Sequence, residues 1–225
     1  MEKTFKPVGS LPTIGADQIA LLEKLSNASG VSGDEGSIRK IIRDEIGSIA
    51  DELRIDNLGS LIAIRKAKTP NAPRILIAAH MDEVGFMLNF KESDGIYRFA
   101  VVGGVDPRML AGKAVRVGKK GIPGVIGACP IHLSPRSELE NILTVNSLRI
   151  DVSPEATDVE VGDYAVFATK FKRLGELSLL GKAFDNRIGV ATLIELFKNS
   201  PENVELIAAF TVQEEVGLRG AKAVE

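Results

Sequence analysis

Residues 74–83 read RILIAAHMDE and residues 204–217 read VELIAAFTVQEEVG. In each, a short run apolar on both faces gives way to acidic side chains. Such a run suits an interior strand of a sheet covered by helices. In open α/β sheets ligands bind beyond the carboxyl ends of these strands. His80 falls there, and so does the pair Glu214 and Glu215. The flanking segments have helical texture. Ile19, Leu22 and Leu25 recur at helical spacing over residues 16–27, and Gly30 can end that helix. Ser32 stands three residues before Glu35, a capping-box signature, and Ile38, Ile41, Ile42, Ile46 and Ile49 follow on one stripe. Ile188, Ala191, Leu193, Ile194 and Phe197 predict another helix over 185–198, and a further helix begins after Gly217. Leu53–Asp56 and Ser60–Arg65 read as a hairpin around residues 57–59.

Between about Val84 and Phe171 the texture differs. Glycines at 103, 104, 118, 121 and 124 break short β-type runs, among them Tyr97–Val102, Ala114–Val117, Val125–Ala128, Ser147–Val152 and Ala165–Ala168. Short strands with regular turn signals predict a small barrel. The one helix expected there covers Glu155–Glu160. The fold class is therefore α/β: a mixed sheet flanked by helices, formed by residues 1–84 and 173–225, with a β-rich insert over 85–172. The opening to Thr13 reads as an extended lead-in.

Composition narrows the function. The 225 residues carry 28 basic and 30 acidic side chains, a net charge of -2, which gives no basic excess to neutralise phosphates. With no Trp and 2 Tyr, aromatic platforms for bases are scarce. Nucleic acid is excluded as the main partner. No apolar run approaches the ~20 residues that span a bilayer, and the first residues lack the apolar stretch of a secretory signal, so a cytoplasmic protein is expected. A single cysteine, Cys129, rules out an intrachain disulfide and a cysteine-based zinc site.

Three patterns can carry chemistry. His80 and Asp82 stand two apart, so in extended backbone they point to one side. A carboxylate there fixes one imidazole nitrogen and frees the other for a metal. Alone, the pair reads first as a partly buried histidine held by an acid. Asp185, in GKAFDNR (181–187), alone reads as a helix N-cap. Glu214 and Glu215 can be solvated acids, or one can bind a metal while the other moves a proton. Neighbours on a straight strand face opposite ways, so sharing a site requires a turn, which Gly217 and Gly220 allow. If all three meet, a histidine with several carboxylates suits Zn²⁺, Co²⁺ or Mn²⁺.

The stretches HMDEVGF, VGGVDPR, GKAFDNRIG and VQEEVGLRGA resemble the metallo-aminopeptidases that assemble as tetrahedral dodecamers, the glutamyl and deblocking type, some of which carry cellulase or endoglucanase names. SGDE, GVIGACPIHL and VGDYAVF extend the resemblance over nearly the whole chain. It implies His80, Asp185 and Glu215 as metal ligands, with Asp185 bridging two ions about 3.5–4 Å apart. It implies Glu214 as general base and Asp82 as the acid that orients His80. It gives His132 no catalytic role, implies a cis peptide after Asp185, and makes the insert a PDZ-like or barrel-like dimerisation domain. The cofactors implied are two divalent ions per complete subunit, Zn or Co, and the partners are peptide substrates and further copies of the chain. The family pattern adds another Asp and a second His ligand beyond the Glu-Glu pair, whereas this sequence stops at Glu225. An incomplete site and an exposed apolar face near Val204–Val212 are therefore expected. Two other readings stand beside the enzyme: an inactive homologue acting in assembly or binding, and, more weakly, a glycoside hydrolase.

Overall fold

The computed structural model describes residues 14–129 and 143–224; the lead-in and His132 lie outside the described residues. Helices α1 (Ala16–Asn27) and α2 (Gly36–Ile46) come first, followed by strands β1 (Glu52–Ile55), β2 (Leu61–Arg65) and β3 (Arg74–His80). Six strands follow: β4 (Gly85–Ser93), β5 (Ile96–Val102), β6 (Ala114–Val117), β7 (Ile122–Ala128), β8 (Leu148–Val152) and β9 (Tyr164–Phe167). A small hairpin, β10 (Lys172–Leu174) and β11 (Ser178–Leu180), leads into α3 (Phe184–Lys198), β12 (Glu205–Thr211) and α4 (Arg219–Val224). Among the described residues no helix is long and apolar enough to cross a membrane.

The protein is α/β, with two sheet systems. The first is a four-stranded sheet in the order β1-β2-β12-β3. β12 runs antiparallel to β2 and parallel to β3, so the sheet is mixed. The apolar stripes of the helices explain their docking: Leu21, Leu25, Ile38, Ile42, Ile46, Val190, Leu193, Ile194 and Phe197 share one core with Leu61, Ala63, Ala208 and Phe210. Each of the Leu, Ile, Val and Phe side chains, fully buried, contributes roughly 1.5–3 kcal/mol.

The two apolar runs that predict interior strands fare differently. β12 lies between β2 and β3, and most of its side chains are buried. β3 is an edge strand among the described residues, as β1 is on the other side, with Ile75 and Leu76 exposed. The exposed apolar face is therefore on β3 and not near Val204–Val212. Both runs have the same two-faced apolar texture, and only the pairing partners decide which strand is central.

The second system is a closed barrel, β4-β5-β8-β7-β6-β9. Its core holds Phe86, Leu88, Phe99, Val115, Val117, Ile126 and Ile150, and Phe86 meets Phe99 and Phe167 edge to face at 5.2 and 5.3 Å. β4, absent from the sequence-based strands, alternates as a barrel strand should: Phe86 and Leu88 are buried, while Asn89 faces water. No helix forms over 155–160. That segment runs as turns, the Val159 carbonyl accepting from the Tyr97 hydroxyl and the Asp163 carboxylate from the Glu160 N–H. The Asp163 side chain thus takes an N–H that a helix would have paired. The barrel abuts the other half closely at Gly85, where a Cβ would stand 2.6 Å from Val31 Cγ2 and 2.7 Å from the Ala165 carbonyl.

Candidate active site

His80 is the last residue of β3, and Met81 still follows the ladder, donating to the Thr211 carbonyl at 2.7 Å. Beyond it the chain leaves the sheet, and Asp82 is wholly buried. Its carboxylate gathers donors from two other segments. Ser32 Oγ donates at 2.6 Å, the Glu214 N–H at 3.0 Å and the Glu215 N–H at 3.1 Å, while His80 Nδ1 lies 3.4 Å away. Burial opposes the charged form of Asp82, but the His80, Ser32 and backbone contacts outweigh it and hold its pKa at about 2. Asp82 is thus an anion that joins the ends of β3 and β12.

The turn that the Glu214–Glu215 pair requires begins earlier than the glycines suggest. Gln213 has φ 55°, so the chain turns as soon as β12 ends, and Gly217 follows with φ 113°. The Gln213 N–H donates to Glu35 Oε1 at 3.2 Å, and the Gly33 N–H to the same oxygen at 2.8 Å. Burial pushes the Glu35 carboxyl above its ordinary range, and the charge of Asp82 adds to this. The Ser32 and Glu35 side chains are therefore not a capping box. α2 starts without a side-chain cap, and both side chains face the ends of β3 and β12 instead.

Asp185 is not a helix cap either. Asp185 (φ -80°, ψ 107°) and Asn186 (φ -122°, ψ 37°) break the start of α3, Ala183 before them has φ 55°, and the Asp185–Asn186 peptide is cis. Asn186 Oδ1 takes the Gly189 N–H at 3.1 Å, the contact a cap would make. Asp185 is left exposed, with Oδ1 3.1 Å from His80 Nε2.

The structure thus brings together residues from three segments. His80 Nε2 faces Asp185 Oδ1 and, at 3.9 Å, Glu214 Oε2. Burial favours neutral His80, yet the contacts with Asp82, Asp185 and Glu214 prevail and raise its pKa. Glu215 lines a cavity of about 260 Å³ with Asp185, Val84, Phe167 and Phe184. Burial, then the charge of Glu214, raises the Glu215 pKa. Its Cβ packs where Gly103 (φ 87°) leaves room: a Cβ on Gly103 would stand 3.1 Å from it. Among the described residues, no group of three or more His, Cys, Asp or Glu is assembled to hold a metal ion.

Sequence reasoning passed over Glu83, Lys182 and Arg187, which form a buried ion triad behind the site. Lys182 Nζ lies 2.6 and 2.8 Å from the two Glu83 oxygens, and Arg187 Nη2 lies 3.3 Å from Oε1. Burial lowers the Lys182 pKa to about 8 against the pull of Glu83. The available signal was the density of charge in HMDE and GKAFDNR, beside strands otherwise apolar.

The profile of the M42 glutamyl aminopeptidases matches residues 59–225. The chain belongs to that family. This M42 chain is 34% identical over 213 residues to the lysyl aminopeptidase of Pyrococcus furiosus, covering 90% of this chain and 61% of that one. The TET1 peptidase of Pyrococcus horikoshii, which can assemble into a tetrahedron or a large octahedral shell, superposes with a TM-score of 0.80 at 36% identity, over 92% of this chain and 64% of the other. A Thermotoga maritima protein named endoglucanase superposes with a TM-score of 0.72 at 38% identity, over 89% and 62%. The M42 chain described here thus spans just over three-fifths of the length of these relatives.

Proposed function

We propose that the protein is a metal-dependent aminopeptidase that removes N-terminal residues from peptides through a dinuclear centre. The observation that carries this reading is the imidazole of His80, flanked by the buried anion Asp82 on its Nδ1 side and by Asp185 and Glu214 on its Nε2 side. The donor chemistry fits a divalent ion. A histidine nitrogen and carboxylate oxygens suit Zn²⁺ or Co²⁺, and the Asp185 and Glu214 carboxylates, both turned toward His80 Nε2, are favoured by a cation between them. His80, Asp185 and Glu215 would hold the metal, with Asp185 shared between two ions. Bound there, divalent ions supply Lewis acidity toward the scissile carbonyl and toward water.

The chain's own groups do the rest. Asp82 orients His80, leaving Nε2 free toward the site. Glu214 accepts a proton from the attacking water and passes it to the leaving amine, the work of a general base and then acid. Val84, Phe167 and Phe184 give the cavity beside Asp185 and Glu215 an apolar wall. The same reading divides the molecule into a catalytic part, 1–84 with 173–225, and an inserted barrel, 85–172, through which subunits pair into larger assemblies.

The test is to strip the purified chain with a chelator, restore Zn²⁺ or Co²⁺, and measure metal content and release from glutamyl, lysyl and leucyl chromogenic substrates. Bound metal with metal-dependent release is expected. No bound metal would favour the non-catalytic assembly protein. The endoglucanase name of one relative favours a second reading, which a polysaccharide assay run in parallel decides. Against it, glycosidase carboxyl pairs must flank a sugar, and the sequence has no Trp to face a glycan.

A further inference from the structure

We infer that the buried triad Glu83–Lys182–Arg187 sets the separation between His80 and Asp185, and that its members are positioning residues for the site. This rests on the metal-site reading above. His80 ends β3, whereas Asp185 sits in the broken start of α3, and no hydrogen-bond ladder along either element ties one to the other at that point. Asp185 is bracketed by the triad instead, and His80 is followed closely by one of its members. Glu83 follows His80 by three residues, Lys182 precedes Asp185 by three, and Arg187 follows it by two. Three residues of chain reach at most about 10 Å, so pinning Glu83 to Lys182 and Arg187 keeps His80 and Asp185 in one neighbourhood, and the fixed directions of the triad's contacts narrow it further.

The triad is also anchored to a third segment. Lys182 Nζ donates to the Ala28 carbonyl at 2.7 Å and Arg187 Nη1 to the Leu25 carbonyl at 2.8 Å. The Gly30 N–H donates to Glu83 Oε1 at 3.1 Å, and the Glu83 N–H to the Gly30 carbonyl at 2.9 Å. The end of α1 thus serves as a fixed post for both arms of the site. All three charged side chains are at most 4% exposed. A buried ion group of this kind is weak as a source of stability, since apolar residues of similar volume often serve as well. What apolar residues cannot reproduce is direction: carboxylate, ammonium and guanidinium meet in one arrangement, and that arrangement fixes the register of the two loops.

The experiment replaces the triad together, Glu83→Leu with Lys182→Met and Arg187→Met, so that no charge is left unpaired. Zinc affinity is measured by chelator competition, and the His80 Nε2–Asp185 Oδ1 separation in metal-free crystals. A matched control, Phe197→Leu, lowers stability from within the apolar core. The expected result is about a tenfold loss of zinc affinity and loss of the 3.1 Å approach, with both unchanged in the control. Retention of that approach in the triple variant overturns the inference whatever the zinc affinity. If the unaltered chain binds no zinc, the metal reading fails, and the separation alone decides this one. If the triple variant does not fold, Lys182→Met alone carries the same two readouts. It should move them in the same direction by less than tenfold, and no movement in either overturns the inference.

Discussion

Glu83 and Glu92 stand nine residues apart, on either side of the junction between sheet and barrel, and each holds two cationic side chains. Glu83, 3% exposed, holds Lys182 and Arg187 in the interior. Glu92, 29% exposed, holds Arg98 at 2.5 Å and also Arg149 on the outside of the barrel. The contacts are alike and their consequences are opposite. In the interior each charge has given up its water, so the group is stable only while complete. On the surface water replaces any partner that leaves, so the pairs are worth little and salt weakens them. The sheet half adds a buried ionic group to its apolar core. The barrel relies on apolar packing and keeps its ion pairs outside.

The sharpest way to break this comparison is Glu83→Ala, which strands two buried cations. It should cost about 3–5 kcal/mol in a urea titration, and a cost under 1 kcal/mol would mean that water reaches the triad. In the barrel the matching blow is apolar: Phe86→Ala empties a ring from its core and should cost about 3–4 kcal/mol by the same titration.

Asp82 gives an intermediate case, buried like Glu83 but satisfied chiefly by neutral donors. Its folded pKa of about 2 lies below the ordinary value of 3.8. Its contribution is therefore present above about pH 4 and is lost as pH falls toward 2. Asp82→Asn should remove roughly 2 kcal/mol of acid-dependent stability from the metal-free chain, seen as a flatter acid limb in melting temperature against pH. An unchanged limb would mean that another carboxylate governs acid unfolding.

The smallest effect belongs to Glu92→Gln. Glu92 is held at about 2 by Arg149 and Arg98, so its contribution likewise fades as pH drops from about 4.5 toward 2. At neutral pH the substitution should barely move the unfolding midpoint, and the difference should vanish in high salt. A loss approaching that of Glu83→Ala would erase the contrast between the two clusters.

Much of the molecule was legible in the chain. The helical stripes of Ile38, Ile42 and Ile46 and of Leu193, Ile194 and Phe197, the β-rich insert, and the positions of His80, Asp185, Glu214 and Glu215 at element ends follow from spacing and turn chemistry. The local readings that the structure does not follow share one cause. Ser32 and Glu35 match a capping box, Asp185 matches a helix cap, and RILIAA matches an interior strand, because local pattern reports only what a residue can do for its own segment. Ser32 took Asp82, Glu35 took the Gln213 N–H and Asp185 met His80, all partners more than 30 residues away, and among the described residues β3 pairs on a single side.

The sequence by itself determined where apolar faces lie and therefore which segments become helices and strands, since burial follows periodicity within one element. It also determined which side chains are available to hold a divalent ion. Only the tertiary structure decided which strand is central, that the turn after β12 begins at Gln213, and that Glu83, Lys182 and Arg187 meet in the interior. Charges are admitted to the interior only when opposite partners arrive with them, and those partners come from segments about a hundred residues apart whose approach no local spacing encodes.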